Sequence, residues 1–191
     1  MPGLIKSFLV ASIAVTTALG CATHYTSTGN PLAAELSRED VASRTGTEVK
    51  RSDKERVDLM LDQIARGLIR TPQDKFNAAL VLDHSPMTFR DNKLVALSPD
   101  NYLLGHYLAK SAFEEGHQPA RALVAQTIDR YLSLTTGCQK YGTNRFINQQ
   151  TGAEELAPVD RNTTDEERAR YGVPPLATLL KQYSEQKVVC H

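Results

Sequence analysis

Apolar residues recur every three or four positions over most of the chain beyond residue 52. The first such stripe consists of Val57, Met60, Leu61, Ile64 and Leu68. It follows a Ser52-x-x-Glu55 capping box, in which two side chains satisfy free N–H groups of the first turn. Together, stripe and cap predict a helix from about Asp53 to Ile69.

Two further helices are marked by a proline near their first turn. One begins at Thr71-Pro72 and ends near His84, because the residue after it precedes a proline and is biased away from helical geometry. The other begins at Ser98-Pro99 and ends at Gly116. Between them, over residues 87–97, the pattern is irregular.

A fourth helix lies between Gln118-Pro119 and Gly137 and is followed by a polar turn. Its apolar face carries Ala120, Leu123, Val124, Ile128, Tyr131 and Leu132. The turn, residues 139–143, leads into an alternating pattern at residues 144–148, which predicts a short strand. A second strand over residues 155–159 completes a hairpin at about 144–159.

Two short helices complete the chain. A capping box at Thr164 starts one that Gly172 ends, and Pro174-Pro175 begins the other. The pattern contains no strand–helix–strand alternation. We therefore expect a mainly α (α+β) domain over residues 52–191, a bundle of about five helices with one C-terminal β-hairpin packed on it.

Residues 1–20 have the pattern of an export signal peptide. One charged side chain precedes the apolar run from Phe8 to Leu19, which is too short to span a bilayer because a helix needs roughly 20 residues. Ala18-Leu19-Gly20-Cys21 is similar to a bacterial lipobox, whose cysteine is lipidated, although Ala18-x-Gly20 also fits an ordinary cleavage site. Both interpretations predict export. The first predicts a lipid anchor at Cys21, on a bacterial membrane facing the periplasm or the cell exterior.

Residues 21–51 are rich in Ser, Thr, Gly and charge and show no sustained period. This composition predicts a flexible tether after the lipidated cysteine. A short helix from Leu32 to Val41 is an alternative within it.

Charge and histidine spacing narrow the classes of partner. The 22 basic and 22 acidic residues balance without a long run of one sign, which argues against nucleic acid, since phosphate binding needs a concentrated basic face. The five histidines show no zinc-ligand spacing. We expect no metal and no cofactor.

The chain has three cysteines, Cys21, Cys138 and Cys190. With Cys21 lipidated, the other two form an even pair in an oxidising compartment, and we expect a disulfide. The alternative is a thiol nucleophile at Cys138, which would have to stay reduced outside the cytoplasm.

Candidate chemistry concentrates around the third and fourth helices. His106 lies at the edge of an apolar face, as either a half-buried histidine with one hydrogen bond or a titrating acid–base residue. Asp129 borders the next apolar stripe, where its carboxylate must find a hydrogen-bond donor or remain at the rim. Arg130 is expected to be solvated. The short link after Gly116 makes the two helices antiparallel, which places His106 and Asp129 at matching height.

The polar turn adds three side chains, those of Gln139, Tyr141 and Thr143. We expect the turn to fold back along the helices towards His106 and Asp129, because Gly142 tolerates the positive φ of a reversal. The three side chains of the turn and that of Arg130 are candidate ligand-binding groups. Alternatively, the cluster ties the hairpin to its helix, as buried polar networks do. An open cavity would indicate a site, and a filled, fully bonded cluster would indicate a structural junction.

The chain resembles the bacterial domain of unknown function DUF6624 over roughly residues 74–183. The resemblance rests on three motifs in the same order: a histidine, the Asp129-Arg130 pair and the turn Gln139-Lys140-Tyr141-Gly142-Thr143. Either of two histidines could be the histidine of this motif set. One is His106, and the other is His84, which follows Leu80-Val81-Leu82-Asp83. The family usually continues with Gln where this chain has Asn144. The resemblance implies a fold and a site location and no reaction.

Two functions of different classes remain. One is a noncatalytic binding or structural role in the cell envelope, with a peptide, an envelope component or a small molecule as partner. The other is a hydrolase-like enzyme that uses His106 as acid or base and Asp129 to orient a partner, in a pocket near the Gln139–Thr143 turn. The sequence offers no evident nucleophile, metal motif or phosphate loop, which favours the noncatalytic role.

Overall fold

The computed structural model describes residues 29–90, 93–148, 150–185 and 190. The predicted signal peptide, the lipidation site at Cys21 and residues 21–28 of the predicted tether lie outside this part of the chain. Within it, the chain forms seven α-helices, one 3₁₀ turn and five short strands. None of the helices in these ranges is long and apolar enough to cross a bilayer.

The first helix, α1 (Pro31–Arg44), belongs to the folded domain. The alternative of a short helix from Leu32 to Val41 is confirmed, and a flexible tether is wrong for residues 31–44. Asn30 caps the helix, and its backbone N–H donates to the Asp74 carboxylate at 2.7 Å. The buried positions are Ala33, Leu36, Ser37 and Asp40. They follow helical spacing, but two of the four are polar, and a purely apolar pattern therefore does not reveal this face.

The next two helices, α2 (Asp53–Ala65) and α3 (Pro72–Asp83), begin at the predicted Ser52 capping box and at the predicted Thr71-Pro72 start. The first ends four residues earlier than predicted, because Gly67 reverses the chain at a φ of 66°. With α1 they enclose a core whose fully or almost fully buried members are Ala33, Leu36, Val57, Met60, Ala78, Val81 and Leu82.

A β-hairpin follows α3 where the sequence pattern appeared irregular. Strand β1 (Met87–Arg90) pairs antiparallel with β2 (Lys93–Ala96), with Met87 opposite Ala96. This hairpin is additional to the predicted C-terminal one, and the sequence did not reveal it because four-residue strands are too short to show a clear alternation.

Helices α4 (Asp100–Glu114) and α5 (Arg121–Thr135) are joined by a 3₁₀ turn at Gln118–Ala120. Helix α4 packs against both α3 and α5. Gly105 lies at the closest approach, since a Cβ atom there would be 3.4 Å from the Ala79 carbonyl oxygen and 3.5 Å from Thr127 Cγ2. The three helices form the centre of the bundle.

The C-terminal part packs a small sheet on this bundle. Strand β3 (Arg145–Ile147) pairs antiparallel with β4 (Glu154–Leu156), helices α6 (Asp165–Arg170) and α7 (Leu176–Gln182) follow, and β5 (Ser184–Glu185) pairs parallel with β4. The predicted mainly α domain with a packed C-terminal hairpin is confirmed.

The predicted disulfide is also confirmed. Cys138 and Cys190 are bonded, with Cα atoms 5.6 Å apart. The bond connects the end of α5 to the C-terminal end of the chain.

Candidate functional site

The carboxylate of Asp129 is fully buried in α5 and accepts five hydrogen bonds from the polar turn. Oδ1 accepts the backbone N–H groups of Lys140 and Tyr141 at 2.8 and 2.7 Å. Oδ2 accepts the N–H groups of Gly142 and Thr143 and the Thr143 hydroxyl, at 2.8 to 2.9 Å. The predicted reversal of the turn onto Asp129 is confirmed. We call this cluster the Asp129 junction.

Burial raises the pKa of Asp129, and the N–H groups of Tyr141, Thr143 and Lys140 counter that effect by stabilising the carboxylate. All five partners are donors, so the ionised form satisfies every one of them. A protonated oxygen would leave a buried N–H without its acceptor.

Gln139 completes the junction with its side-chain amide. Its Oε1 accepts the Asn144 N–H at 2.7 Å, and its Nε2 donates to the carbonyl oxygens of Asn144 and Ala157 at 3.0 and 2.9 Å. Arg168, which the sequence pattern does not single out, donates from Nε to the Tyr141 carbonyl oxygen at 3.0 Å. Buried side chains with their hydrogen bonds satisfied inside the protein define a structural junction.

His106 does not join this junction. Its Nδ1 donates to the Val124 carbonyl oxygen at 2.9 Å, and the half-buried interpretation with one hydrogen bond is confirmed. Burial lowers the pKa of His106, with a smaller contribution from the charges of Lys110 and Lys140. The predicted meeting of His106 with Asp129 is wrong, because the turn supplies all five described partners of that carboxylate and the imidazole points to a carbonyl.

A cavity with a volume of about 520 Å³ lies beside α5, next to the Asp129 junction. Neither His106 nor Asp129 lines it. Its wall comes from the ends of α1 and α3, the start of α2, strand β1, helix α5 and strand β3. The lining residues are Arg44, Asp53, His84, Ser85, Pro86, Met87, Arg130, Ser133, Leu134, Asn144, Arg145 and Phe146. We call it the His84 cavity.

His84, the residue that caps the C-terminal end of α3, is held by a buried carboxylate. Its Nδ1 donates to Asp40 Oδ2 at 2.5 Å. Asp40 is 1% exposed and the His84 side chain is 25% exposed. Nδ1 is engaged by Asp40, and Nε2 makes none of the described hydrogen bonds. In the neutral imidazole, a proton on Nδ1 leaves the lone pair on Nε2.

Two arginines line the cavity together with His84. Arg44 Nη2 lies 3.4 Å from the other oxygen of Asp40 and 2.8 Å from Asp53. Arg130 Nη1 donates to the Asp83 carbonyl oxygen and lies 3.2 Å from the Asp83 carboxylate. Arg130 is therefore paired and partly buried, and the expectation that it is solvated is wrong.

Further groups behind this wall are also buried. Burial raises the pKa of Asp83, and the Arg130 guanidinium counters that effect. The Asp83 Oδ1 atom is buried without a hydrogen-bond partner among the described residues. Tyr102, whose pKa burial raises to about 12, donates its hydroxyl to the Ser85 carbonyl oxygen at 2.8 Å. The hydrogen bond of Tyr102 thus fixes the segment after α3 from the interior of the protein.

The two residues of the Asp129-Arg130 pair have different tasks because successive residues on a helix point about 100° apart. Asp129 faces the polar turn, and Arg130 faces Asp83 beside the His84 cavity. The turn that Asp129 holds continues into Asn144 and Arg145, which line that cavity. The junction therefore supports one wall of the cavity.

The remaining candidates lie away from the His84 cavity. Tyr141 is buried edge-on against Tyr171, with ring centroids 5.4 Å apart. Thr143 lines a smaller cavity of about 220 Å³ together with Gly142 and Tyr183. Within the described part of the chain, no group of three or more His, Cys, Asp or Glu residues is arranged to hold a metal ion.

No family model, no curated protein and no solved structure matches this chain. The site is thus described from its own geometry. Sequence reasoning found Arg130 and named His84 as a rival of His106, but it missed Asp40 and Arg44. The available signal was the helical spacing of Asp40 with Ala33 and Leu36, which identifies an acid on a buried helix face.

Proposed function

We propose that this protein is an exported, lipid-anchored component of the bacterial cell envelope whose domain binds a small amphiphilic anion in the His84 cavity. The observation that carries the proposal is the composition of the cavity wall. The wall combines three arginines, Arg44, Arg130 and Arg145, with the apolar side chains of Met87, Leu134 and Phe146.

The size of the cavity suits a small ligand, since ligand pockets have volumes of roughly 300–1,000 Å³. The three arginines face one acidic side chain on the same wall, that of Asp53. Asp40 and Asp83 add two negative charges from behind, so the three arginines and the three carboxylates balance. A ligand with one anionic group is favoured by the arginine N–H groups that these ion pairs leave free, and not by a net charge.

Each arginine also keeps N–H groups for a ligand. The ion pairs of Arg44 use Nη2, and those of Arg130 use Nη1. Arg145 donates from Nη1 to the Tyr183 hydroxyl at 2.8 Å, and its Nε lies 3.8 Å from the Glu154 carboxylate, so Nη2 is its remaining group. A carboxylate is the smallest head group that a guanidinium binds through two parallel hydrogen bonds.

Export and anchoring rest on the pattern of residues 1–21, and a lipid at Cys21 accounts for a cysteine at that position. Membership of the DUF6624 family is part of the same proposal. The ordered motifs support it, with His84 as the family histidine, because His84 and Arg130 share a cavity wall and His106 does not line it.

Calorimetric titration of the exported domain with hexanoate tests the binding function, with hexanol as the uncharged comparison. We expect hexanoate to bind at least about 10-fold more tightly, because hydrogen bonds to a charged group contribute about 1.5–3 kcal/mol. Arg130→Gln should remove most of that preference. Arg66→Gln is the matched control, since Arg66 is exposed and pairs only locally with Asp62. Equal affinity for the two ligands, or an unchanged preference in Arg130→Gln, would contradict the proposal.

A further inference from the structure

We propose that the His84 cavity hydrolyses carboxylic esters of short acyl chains, with His84 as the general base and Asp40 as its positioning residue. This inference rests on the proposed binding function, because the carboxylate product of such a reaction is the class of anion assigned to the cavity. The hydrolase-like alternative thus belongs to His84 and Asp40, and not to His106 and Asp129.

The first argument is the pairing of a buried acid with an accessible histidine. Asp40 is almost completely buried and accepts the Nδ1–H of His84 at 2.5 Å, while His84 lines the cavity. An acid in this position fixes the tautomer, orients the ring and stabilises the imidazolium that forms when Nε2 takes a proton.

The second argument is the position of Arg130. Its guanidinium donates to the carbonyl oxygen of Asp83, the residue that precedes His84, and therefore lies beside the same chain segment. A fixed guanidinium near the base can stabilise the oxyanion that develops when water attacks an ester carbonyl. The apolar part of the wall, which includes Met87 and Leu134, is suited to an acyl chain.

The reaction balances without a cofactor. His84 Nε2 takes one proton from a water molecule, and the water oxygen forms a bond to the acyl carbon. The carbon–oxygen bond to the leaving group then breaks, and the leaving oxygen receives the proton from His84. The products are a carboxylic acid, which ionises, and an alcohol. Asp40 keeps its charge throughout.

Other polar groups at the cavity do not replace this base. Ser85 donates its hydroxyl to the Leu82 carbonyl oxygen at 2.8 Å and is buried. Ser133 accepts the side-chain amide of Asn144 at 3.1 Å. Neither serine contacts His84 in the described hydrogen bonds, so the geometry favours direct attack by water over a serine nucleophile.

Hydrolysis of 4-nitrophenyl hexanoate by the exported domain, followed by release of 4-nitrophenol, tests the inference. We expect saturable turnover, and His84→Ala should lower kcat/KM by at least about 100-fold, the usual minimum contribution of a general base. Added imidazole should restore part of the activity of His84→Ala, because the variant leaves a space beside Asp40. A purely structural role for His84 would give no such rescue.

Two further variants keep the test decisive. His106→Gln is the matched control, since His106 lies outside the cavity, and it should retain activity. Asp40→Asn should lower kcat more than it raises KM. If it fails to fold, His84→Gln provides the comparison, because it keeps a polar side chain of similar size.

The hexanoate titration separates this inference from the binding function. Hexanoate binding without turnover above that of free imidazole would overturn the esterase and leave the binding function intact. Turnover that persists in folded His84→Ala or His84→Gln would also overturn it. Turnover that depends on His84, without preference for hexanoate over hexanol, would support the esterase and contradict the binding of anions.

Discussion

Thr143 donates two hydrogen bonds to the same carboxylate oxygen of Asp129, one from its backbone N–H at 2.9 Å and one from its hydroxyl at 2.8 Å. This arrangement fixes the polar turn against α5 from inside the protein. The turn therefore acts on ligand binding through the wall that follows it, at Asn144 and Arg145, and its own buried donors are already occupied.

The first prediction concerns the stability of this junction. Asp129→Ala should lower the free energy of unfolding by about 3–5 kcal/mol, because it leaves several buried N–H groups without an acceptor. Denaturant titration measures the loss. The matched control is Asp62→Ala, since Asp62 is 53% exposed, and a surface change of this kind stays within about 0.5 kcal/mol. A loss below about 1 kcal/mol at Asp129 would mean that the carboxylate is not structural.

The second prediction compares two glycines with positive φ. A Cβ atom at Gly142, where φ is 102°, would lie 2.7 Å from Leu179 Cδ1. A Cβ atom at Gly152, where φ is 72°, would have no neighbouring atom within 4 Å. Gly142→Ala should therefore cost about 1–3 kcal/mol more than Gly152→Ala, because only the first adds overpacking to backbone strain. Thermal unfolding of both variants checks the difference, and equal losses would contradict it.

The third prediction concerns the bond between Cys138 and Cys190, which are 52 positions apart. Replacement of both by serine should destabilise the domain by roughly 4 kcal/mol, because the unfolded chain regains the entropy of the open loop. Unreduced mass spectrometry should show the intact bond. Two free thiols in the exported protein would show that the bond does not form there.

The fourth prediction is a pH dependence from His106, whose pKa burial lowers. A histidine with a depressed pKa contributes stability that is present above its unfolded pKa of about 6.5 and is lost as the pH falls through the folded value. Wild-type protein should thus lose more stability than His106→Gln when the pH is lowered from about 7.5 to about 5. Parallel losses in the two proteins would exclude His106 as a cause.

The fifth prediction concerns the lipid. Cys21→Ala should move the protein from the membrane fraction to the soluble exported fraction, because each buried CH₂ of an acyl chain contributes about 0.8 kcal/mol to anchoring. Fractionation of cells that express the two proteins measures this. If the variant stays with membranes, Cys21 is not the anchor.

Local signals identified the helices that follow α1. Ser52, Thr71 and Thr164 each cap a helix together with an acid three positions later. Such caps depend on residues within one turn of each other, so they are readable before the chain is folded. Asp129 was also recognisable as a carboxylate in need of donors, because its place beside an apolar stripe follows from helical spacing alone.

Only the packed structure identified the cavity. Asp40 and His84 are 44 positions apart and meet because α1 packs against α3. Helix α1 itself shows little apolar pattern, since its buried face includes Ser37 and Asp40. The helical position of Arg130 does not tell whether it faces water or Asp83. Contacts between distant polar groups leave no periodic trace in a sequence, because they depend on how whole elements pack and not on the spacing within any one of them.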